Sequence, residues 1–127
     1  MKNAAMVLAA TVFSMGSAFA QNTFPTEYPA EAKPVAGSEI SNRLTGKVFT
    51  VKSATSGDWR MEFDKRGYAF VDTDSGYRDN GPWRIEGEKW CANMGKTGDN
   101  CAELYAAGET LYYKRAKNGE VVSMTMR

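Results

Sequence analysis

The side chains that could do chemistry in this chain are carboxylates, arginines, tyrosines, tryptophans and two cysteines. Its 127 residues include no histidine, which excludes a Ser-His-Asp triad, a Cys-His pair and a histidine metal site. A glycine-rich phosphate loop is also absent from the sequence. We therefore predict no catalytic residue, no metal ligand and no cofactor, and expect a protein that binds rather than catalyses.

The two cysteines, Cys91 and Cys101, are each other's only possible intramolecular partner. The residues between them include Gly95, Gly98 and Asn100, which suit a turn between adjacent strands. We predict a disulfide here, and closing so short a loop should stabilise the fold by about 2–3 kcal/mol. Free thiols or half of a metal site are the alternatives, but two cysteines without a histidine do not complete a zinc site.

Two arrangements of carboxylates suggest other chemistry. Asp72 and Asp74, with Asp79 nearby, invite comparison with a calcium loop. The EF-hand pattern fails here, because Gly76 occupies the third ligand position and Trp83 the terminal one, so a solvated turn is favoured. A pair of carboxylates could also hydrolyse a glycosidic bond. A carboxylate-dependent hydrolase acting on cell-envelope glycan therefore stays open as the alternative function.

The polar stretch from residue 74 to residue 80 is the candidate recognition loop. Tyrosine and arginine, which stand at its middle, are enriched at the energetic hot spots of protein interfaces. An ordinary polar turn is the alternative interpretation. The candidate residues are Asp74, Ser75, Tyr77, Arg78 and Asp79.

The element that must position these groups is a central hairpin, residues 83–86 and 89–92 around Gly87-Glu88. Glycine followed by any residue is typical of a type II′ turn. In that register Glu86 faces Lys89, Ile85 faces Trp90 and Arg84 faces Cys91. Because side chains alternate along a strand, the apolar set should point inward and the disulfide should lie on the solvent face. The inward set is Trp83, Ile85, Trp90 and Ala92.

Alternating runs at 47–53, 58–64, 68–73, 102–106, 110–116 and 120–127 complete about eight strands. In the last pair, Asn118-Gly119 predicts a tight hairpin in which Tyr113 meets Met124. The fold class is therefore all-β: an antiparallel meander forming a small closed or partly open, lipocalin-like barrel. Its tryptophans could line a ligand pocket instead of filling the core. The predicted core aromatics are Trp59, Phe63, Trp83 and Trp90.

Three segments are predicted along the chain. Residues 1–20 are typical of a signal peptide cleaved after Ala20. Residues 21–37 contain three of the four prolines and are predicted to form a flexible lead-in. Alternatively, the aromatic side chains of this segment, Phe24 and Tyr28, dock on the domain or on a partner. Residues 38–127 form a single β domain. It opens with a short helix, N-capped by Ser38, whose Ile40 and Leu44 plug one end of the barrel.

The charge balance and the predicted signal peptide restrict the compartment and the classes of partner that we expect. A signal peptide and a disulfide predict a periplasmic or secreted protein. With 16 Lys and Arg against 15 Asp and Glu, the composition gives no electrostatic argument for binding nucleic acid. The strands are short and charged for an outer-membrane barrel, so no stable membrane insertion is expected. The expected partner is a protein or a small apolar ligand in the periplasm.

The stretch Gly81-x-Trp83, Trp90-Cys91 and Cys101 resembles small secreted bacterial families of the type called domain of unknown function 995. The resemblance covers about twenty residues and implies a fold and a compartment, but no activity. The chain also resembles periplasmic inhibitors of C-type lysozyme, which are small disulfide-linked β-barrels. Their inhibitory loop carries Ser-Gly-x-x-Tyr. Here Ser75-Gly76-Tyr77 lacks the two intervening residues, so inhibitor function is not carried over.

Overall fold

The structure is a computed structural model that describes residues 23–127. The predicted signal peptide lies outside the described residues. The described part of the chain contains one helix and ten strands. Their bounds are β1 Lys33–Pro34, α1 Gly37–Leu44, β2 Lys47–Ser53, β3 Gly57–Phe63, β4 Tyr68–Thr73, β5 Arg78–Glu86, β6 Lys89–Met94, β7 Gly98–Glu103, β8 Tyr105–Ala107, β9 Thr110–Lys114 and β10 Val121–Met126.

All ten strands form one antiparallel sheet, in the order β1-β8-β9-β10-β2-β3-β4-β5-β6-β7. From β2 to β7 each strand pairs with the next one along the chain, as in a meander. The last strand, β10, then returns to pair with β2, so the sheet curls into a nearly closed barrel with β1 and β7 at its edges. The prediction of an all-β, barrel-like fold with one short helix and one disulfide is confirmed.

The central hairpin has the predicted register. Glu86 pairs with Lys89, Ile85 with Trp90 and Arg84 with Cys91. Gly87 has a positive φ of 59°, and no non-glycine residue among those described has one. A type II′ turn needs a positive φ at its first central residue only, so this pattern is the expected one.

The disulfide joins Cys91 to Cys101, which lie directly opposite each other on β6 and β7 with their Cα atoms 4.0 Å apart. Cys91 lies on the predicted outer face with Arg84 and Glu86, but it is not exposed to solvent there. Its exposed fraction is 0 %, because the Glu86 carboxylate lies 3.3 Å from its sulfur and the partner cysteine lies beside it. A disulfide of this kind indicates a location outside the reducing cytoplasm.

The single strand predicted at 102–106 is replaced by two strands that meet at Leu104. β7 pairs with β6, whereas β8 pairs with β9, so the chain changes partner at this point. Leu104 is buried, with 1 % of its surface exposed. Its carbonyl oxygen accepts a hydrogen bond of 2.7 Å from the amide of Val35. Because the Leu104 side chain stays buried, the alternation of residue types continues across the break and does not reveal it.

The register of the last hairpin differs from the prediction by two residues. Tyr113 pairs with Val122, not with Met124. The connection is a loop of residues 115–120, in which the Arg115 amide donates to the Glu120 carbonyl over 2.8 Å. The tight Asn-Gly turn does not form, because the Glu120 side chain is held by the β2–β3 turn. A slip of two residues keeps every side chain on its predicted face.

The helix closes one end of the barrel. Ile40 and Leu44 are both 0 % exposed, which is the predicted plug. The helix begins at Gly37 with Ala36 as its N-cap, so the prediction of Ser38 as N-cap is wrong. Glu88, from the central hairpin turn, supplies the cap instead by accepting a hydrogen bond of 2.6 Å from the Gly37 amide.

The position of Gly37 explains why that cap comes from a distant element. A Cβ atom at Gly37 would collide with the carbonyl oxygen of Gly87, so only glycine lets the helix start this close to the hairpin turn. Gly46, with φ of 74°, follows the helix, and its amide donates to the Phe63 carbonyl. Both ends of the helix are thus fixed by turns at the same end of the barrel.

The lead-in contacts the barrel at several points from residue 23 onward. Tyr28 stacks on Tyr105 with ring centroids 3.7 Å apart. The carbonyl of Pro25 accepts a hydrogen bond of 2.8 Å from the Val121 amide, and β1 pairs with β8. Tyr28 therefore docks on the domain, which was one of the alternatives for the aromatic residues of this segment.

No helix within residues 23–127 is both long enough and apolar enough to span a membrane.

Candidate functional site: an open apolar cavity

The end of the barrel opposite the helix contains a cavity of about 500 Å³. It opens among the turns that follow β2, β4, β6 and β9, which all lie at this end because the strands alternate in direction. Its volume lies within the usual range of ligand sites, roughly 300–1,000 Å³. The apolar lining residues are Trp59, Met61, Ala69, Val71, Trp90, Ala92, Met94, Ala102 and Tyr113.

The aromatic wall of the cavity comes from strands β3, β6 and β9. Trp90 stands edge-on to Tyr113, with ring centroids 5.1 Å apart. The indole N–H groups of Trp59 and Trp90 are buried and have no hydrogen-bond partner among the described residues. Large aromatic faces bind apolar ligands well, so this wall is suited to a flat or extended apolar body. Trp59 and Trp90 belong to the buried core, as predicted, and they also line the cavity, so both interpretations describe them.

The other two predicted core aromatics, Phe63 and Trp83, are not part of the cavity lining. Phe63 is 0 % exposed and packs edge-on against Trp83 and Trp90, at centroid distances of 5.3 and 5.5 Å. Trp83 is partly buried and is not among the residues that line the cavity. The three tryptophans of the chain therefore divide into two at the cavity and one near the plugged end.

A buried carboxylate, Glu120, organises the rim of the cavity. It is 0 % exposed and accepts hydrogen bonds from the Ser53 and Thr55 hydroxyls, each 2.7 Å, and from the Ala54 amide at 2.6 Å. Arg115 completes the set, with its Nη1 atom 3.2 Å from the carboxylate. Charged groups at such depth are normally paired and hydrogen-bonded, as this one is.

The pKa of Glu120 reflects a competition between burial and hydrogen bonding. Burial by itself raises the pKa of this carboxyl, because the charged form loses hydration. The hydrogen bonds from Thr55, Ser53 and Ala54, with the Arg115 guanidinium, outweigh burial and lower the pKa to about 2. Glu120 therefore stays ionised at neutral pH and is suited to holding Arg115 in place, not to acting as a general acid.

Arg115 connects this cluster to the cavity. Its guanidinium carbon lies 5.0 Å from the centroid of the Trp59 ring, and the residue is part of the cavity lining. Its Nη1 atom also lies within 3.0–3.3 Å of the hydroxyls of Ser53, Thr55 and Ser56. A planar cation stacked on an indole and tied at one nitrogen is fixed in orientation.

Asp79, a predicted recognition residue, is 7 % exposed and faces the turn after β6. Its carboxylate accepts hydrogen bonds from the amides of Lys96, at 3.0 Å, and Thr97, at 3.3 Å. These contacts cap the β6–β7 turn and fix it beside the cavity. Asp79 therefore lies among the cavity-lining residues with its acceptor capacity used by the protein.

The other four recognition candidates are divided between the cavity rim and the outer surface. The polar stretch is shorter than predicted, because β5 already begins at Arg78. Tyr77, 40 % exposed, and Ser75 belong to the cavity lining. Arg78 points outward, where its Nε atom lies 3.3 Å from the Asp72 carboxylate. Asp74 lies in the exposed turn, so the five residues do not form one surface.

The calcium-loop alternative gains no support from the arrangement. Within residues 23–127, the one group of three potential metal ligands is Glu86 with Cys91 and Cys101. Both sulfur atoms are committed to the disulfide, and Asp72 is paired with Arg78.

Sequence reasoning missed the two residues that organise the rim, Arg115 and Glu120. Both flank Lys117-Asn118-Gly119, a polar run that reads as a solvated turn. Neither spacing nor residue type marks Glu120 as buried. The only available signal was the short Ser-Ala-Thr-Ser turn after β2, whose hydroxyl groups are unusually dense.

Comparison of the chain with protein-family models, with curated proteins and with solved structures gave no significant match. The geometry described above is therefore what supports a functional proposal.

Proposed function

We propose that this protein is a non-enzymatic binding protein that holds a small ligand with an apolar body in the barrel cavity. The observation that carries the proposal is the contrast between the two barrel ends: Ile40 and Leu44 fill one end, whereas the other keeps an open cavity of about 500 Å³. A packed barrel of this size needs no such cavity for stability, since empty apolar volume costs free energy.

The proposed place of action is the periplasm or the extracellular space, after cleavage behind Ala20. The stretch of apolar or small residues at 4–19, together with the small-x-small pattern Ala18-Phe19-Ala20 at its end, supports export. The Cys91–Cys101 disulfide agrees with an oxidising compartment.

Two alternative functions have less support. A protein-binding surface on the predicted loop retains Tyr77 and Arg78 as exposed residues, but these two side chains belong to different faces. A carboxylate-dependent hydrolase would need two carboxylates facing each other across a cleft. Among the described residues that line the cavity, Asp79 is the only carboxylate, and it caps a backbone turn.

Titration of the processed protein with N-phenylnaphthylamine, an uncharged fluorescent apolar probe, tests the proposal. We expect saturable binding at one site, with a dissociation constant in the micromolar range typical of a buried probe of this size, roughly 1–100 μM. Ala102→Phe, which places a ring in the cavity, should weaken binding about tenfold or more.

The matched control is Thr125→Phe, which adds the same ring at an exposed position on β10. Near-ultraviolet circular dichroism should show that both variants are folded. Absence of saturable binding to the parent protein, or equal binding by the parent and Ala102→Phe, would overturn the cavity as the ligand site.

A further inference from the structure

Arg115, at the rim of the cavity, is a cation whose hydrogen-bond donors are only partly used, and this suggests the chemical class of the ligand. We infer that the ligand is an amphipathic anion: its apolar body occupies the cavity and its acidic group, a carboxylate or a similar oxyanion, binds the guanidinium of Arg115. This inference rests on the proposed binding function and specifies what the same site recognises.

The hydrogen bonds of the Arg115 guanidinium leave its outer edge free. Every hydrogen bond between this side chain and other described residues uses Nη1. The Nε and Nη2 atoms form the side-on fork of a guanidinium, which matches the two oxygens of a carboxylate. Neither atom is among the fully buried polar atoms that lack a partner, and the side chain as a whole keeps 17 % of its surface exposed.

The charge balance at the rim favours an anion. Two cationic residues of the cavity lining, Arg115 and Lys117, stand against the single carboxylate of Asp79. Lys114 is also part of the lining, but its ammonium lies over the Tyr28 ring, 5.6 Å from the ring centroid. That carboxylate is already engaged by the amides of the β6–β7 turn. The counter-ion of Arg115, Glu120, is fully buried and contacts the guanidinium through Nη1 only, so it does not compete for the free edge.

Preorganisation separates Arg115 from an ordinary surface arginine. Its side chain is 17 % exposed, and it is stacked on Trp59 and tied to the Glu120 cluster. When a ligand group binds its free edge, Arg115 would therefore lose little of the side-chain entropy whose loss weakens surface ion pairs. Arg115 lies over Trp59, and Trp59 and Trp90 line the same cavity, so one ligand could contact the cation and the aromatic wall together.

Two probes with the same aromatic body, one with and one without an acidic group, test recognition of the acidic group and of the apolar body separately. Anilinonaphthalene sulfonate carries an anionic group that N-phenylnaphthylamine lacks. We expect Arg115→Gln to weaken binding of the sulfonate about tenfold or more, as expected for the loss of a charge-assisted hydrogen bond. Binding of the uncharged probe should change less than about twofold. Arg115→Lys, which keeps the charge but loses the fork, should fall between the parent and Arg115→Gln.

Arg60→Gln is the matched control. Arg60 is also paired with a glutamate, Glu62, but through its outward side chain on β3, so this variant should bind both probes like the parent. Should Arg115→Gln fail to fold, the parent protein still gives a test: its affinity for the sulfonate should fall with added salt while that for the neutral probe does not.

The outcomes distinguish this inference from the function on which it rests. Equal losses of both probes in Arg115→Gln, no loss of either, or a parent affinity for the sulfonate that ignores salt, would overturn the anion inference and leave cavity binding standing. If neither probe binds the parent protein, the proposed function itself fails.

Discussion

The two ends of this barrel are built from the same strands but are finished in opposite ways. At the plugged end, α1 covers the opening with Ile40 and Leu44, and the turn residue Glu88 caps the helix. At the open end no helix intervenes among the described residues, and the turns surround a cavity of about 500 Å³. One end therefore resembles a protein core and the other a ligand site.

Carboxylates organise the backbone at both ends, and a comparison of Glu88 with Glu120 is instructive. Glu88 is an exposed residue that satisfies one amide at the start of a helix. Glu120 is fully buried, and it gathers hydroxyl, amide and guanidinium donors around the rim. Burial of a charge is costly unless every acceptor site is used. The polar side chains of the rim are therefore arranged to satisfy the Glu120 carboxylate.

The largest expected effect is on the plugged end. Leu44→Ala should lower the free energy of unfolding by about 2–5 kcal/mol, because it leaves a cavity in a close-packed core. Met94→Ala, at the half-buried wall of the open cavity, should cost less than about half as much, since that side chain already borders empty space. Urea denaturation of both variants measures the difference, and equal losses would contradict the contrast between the two ends.

Removal of the disulfide ranks second. Cys91→Ala combined with Cys101→Ala should lower the free energy of unfolding by about 2–3 kcal/mol, because the unfolded chain regains the entropy of a short closed loop. The two strands that it joins remain paired on either side of the bridge, so the folded state should persist. Guanidinium denaturation compares the double variant with the parent, and an unchanged midpoint would show that the bridge adds nothing to the β6–β7 wall.

The third prediction concerns the carboxylate of the rim. Glu120→Gln should lower the free energy of unfolding by about 1–3 kcal/mol, because charge-assisted hydrogen bonds are replaced by an amide that fits the same donors poorly. Glu109→Gln, at an exposed turn near the plugged end, is the matched control and should stay close to the parent. Thermal unfolding in parallel checks both.

The lowered pKa of Glu120 predicts that the free energy of unfolding depends on pH. The pKa of Glu120 is lowered in the folded state from 4.5 to about 2. Its contribution to stability is therefore complete above the unfolded value and is lost as the pH falls from about 5 towards 2. The parent protein should lose stability relative to Glu120→Gln across this window. Identical acid unfolding curves for the two proteins would show that Glu120 is not the strongly hydrogen-bonded carboxylate described here.

The smallest expected effect is that of the helix cap. Glu88→Ala should cost about 1 kcal/mol, the usual price of a lost N-cap, and should leave probe binding at the far end unchanged. Hydrogen exchange of the amides in the first turn of α1 measures local opening. Faster exchange there with unchanged probe affinity would support the conclusion that the two ends act independently. Altered probe affinity would contradict it.

Much of the fold could be predicted because period-two patterning determines which face each residue occupies. The register around Gly87-Glu88 and the pairing of Cys91 with Cys101 followed from turn chemistry and from the cysteine count. The last hairpin was predicted with its register wrong by two residues, since the attraction of Glu120 to the β2–β3 turn is a tertiary contact that no local pattern reveals. Its faces were nevertheless right.

The site was harder to predict than the fold for a related reason. Whether an inward-facing aromatic such as Trp90 fills a core or borders a cavity depends on the volume left by all the other strands, and one sequence does not give that volume. The same holds for Ser38, whose capping role passed to Glu88 because a distant turn lies against the helix start. Exposed loop chemistry suggested Tyr77 and Arg78, but the rim is organised from the neighbouring turns.

The most direct test of a cavity at the open end uses the indole N–H resonances of the three tryptophans during titration of the isotope-labelled protein with N-phenylnaphthylamine. Trp59 and Trp90 line the cavity and Trp83 does not. The resonances of Trp59 and Trp90 should therefore shift with saturation while that of Trp83 stays in place. A shift of Trp83 alone, equal shifts of all three, or no shift at all would contradict a ligand site at this end of the barrel.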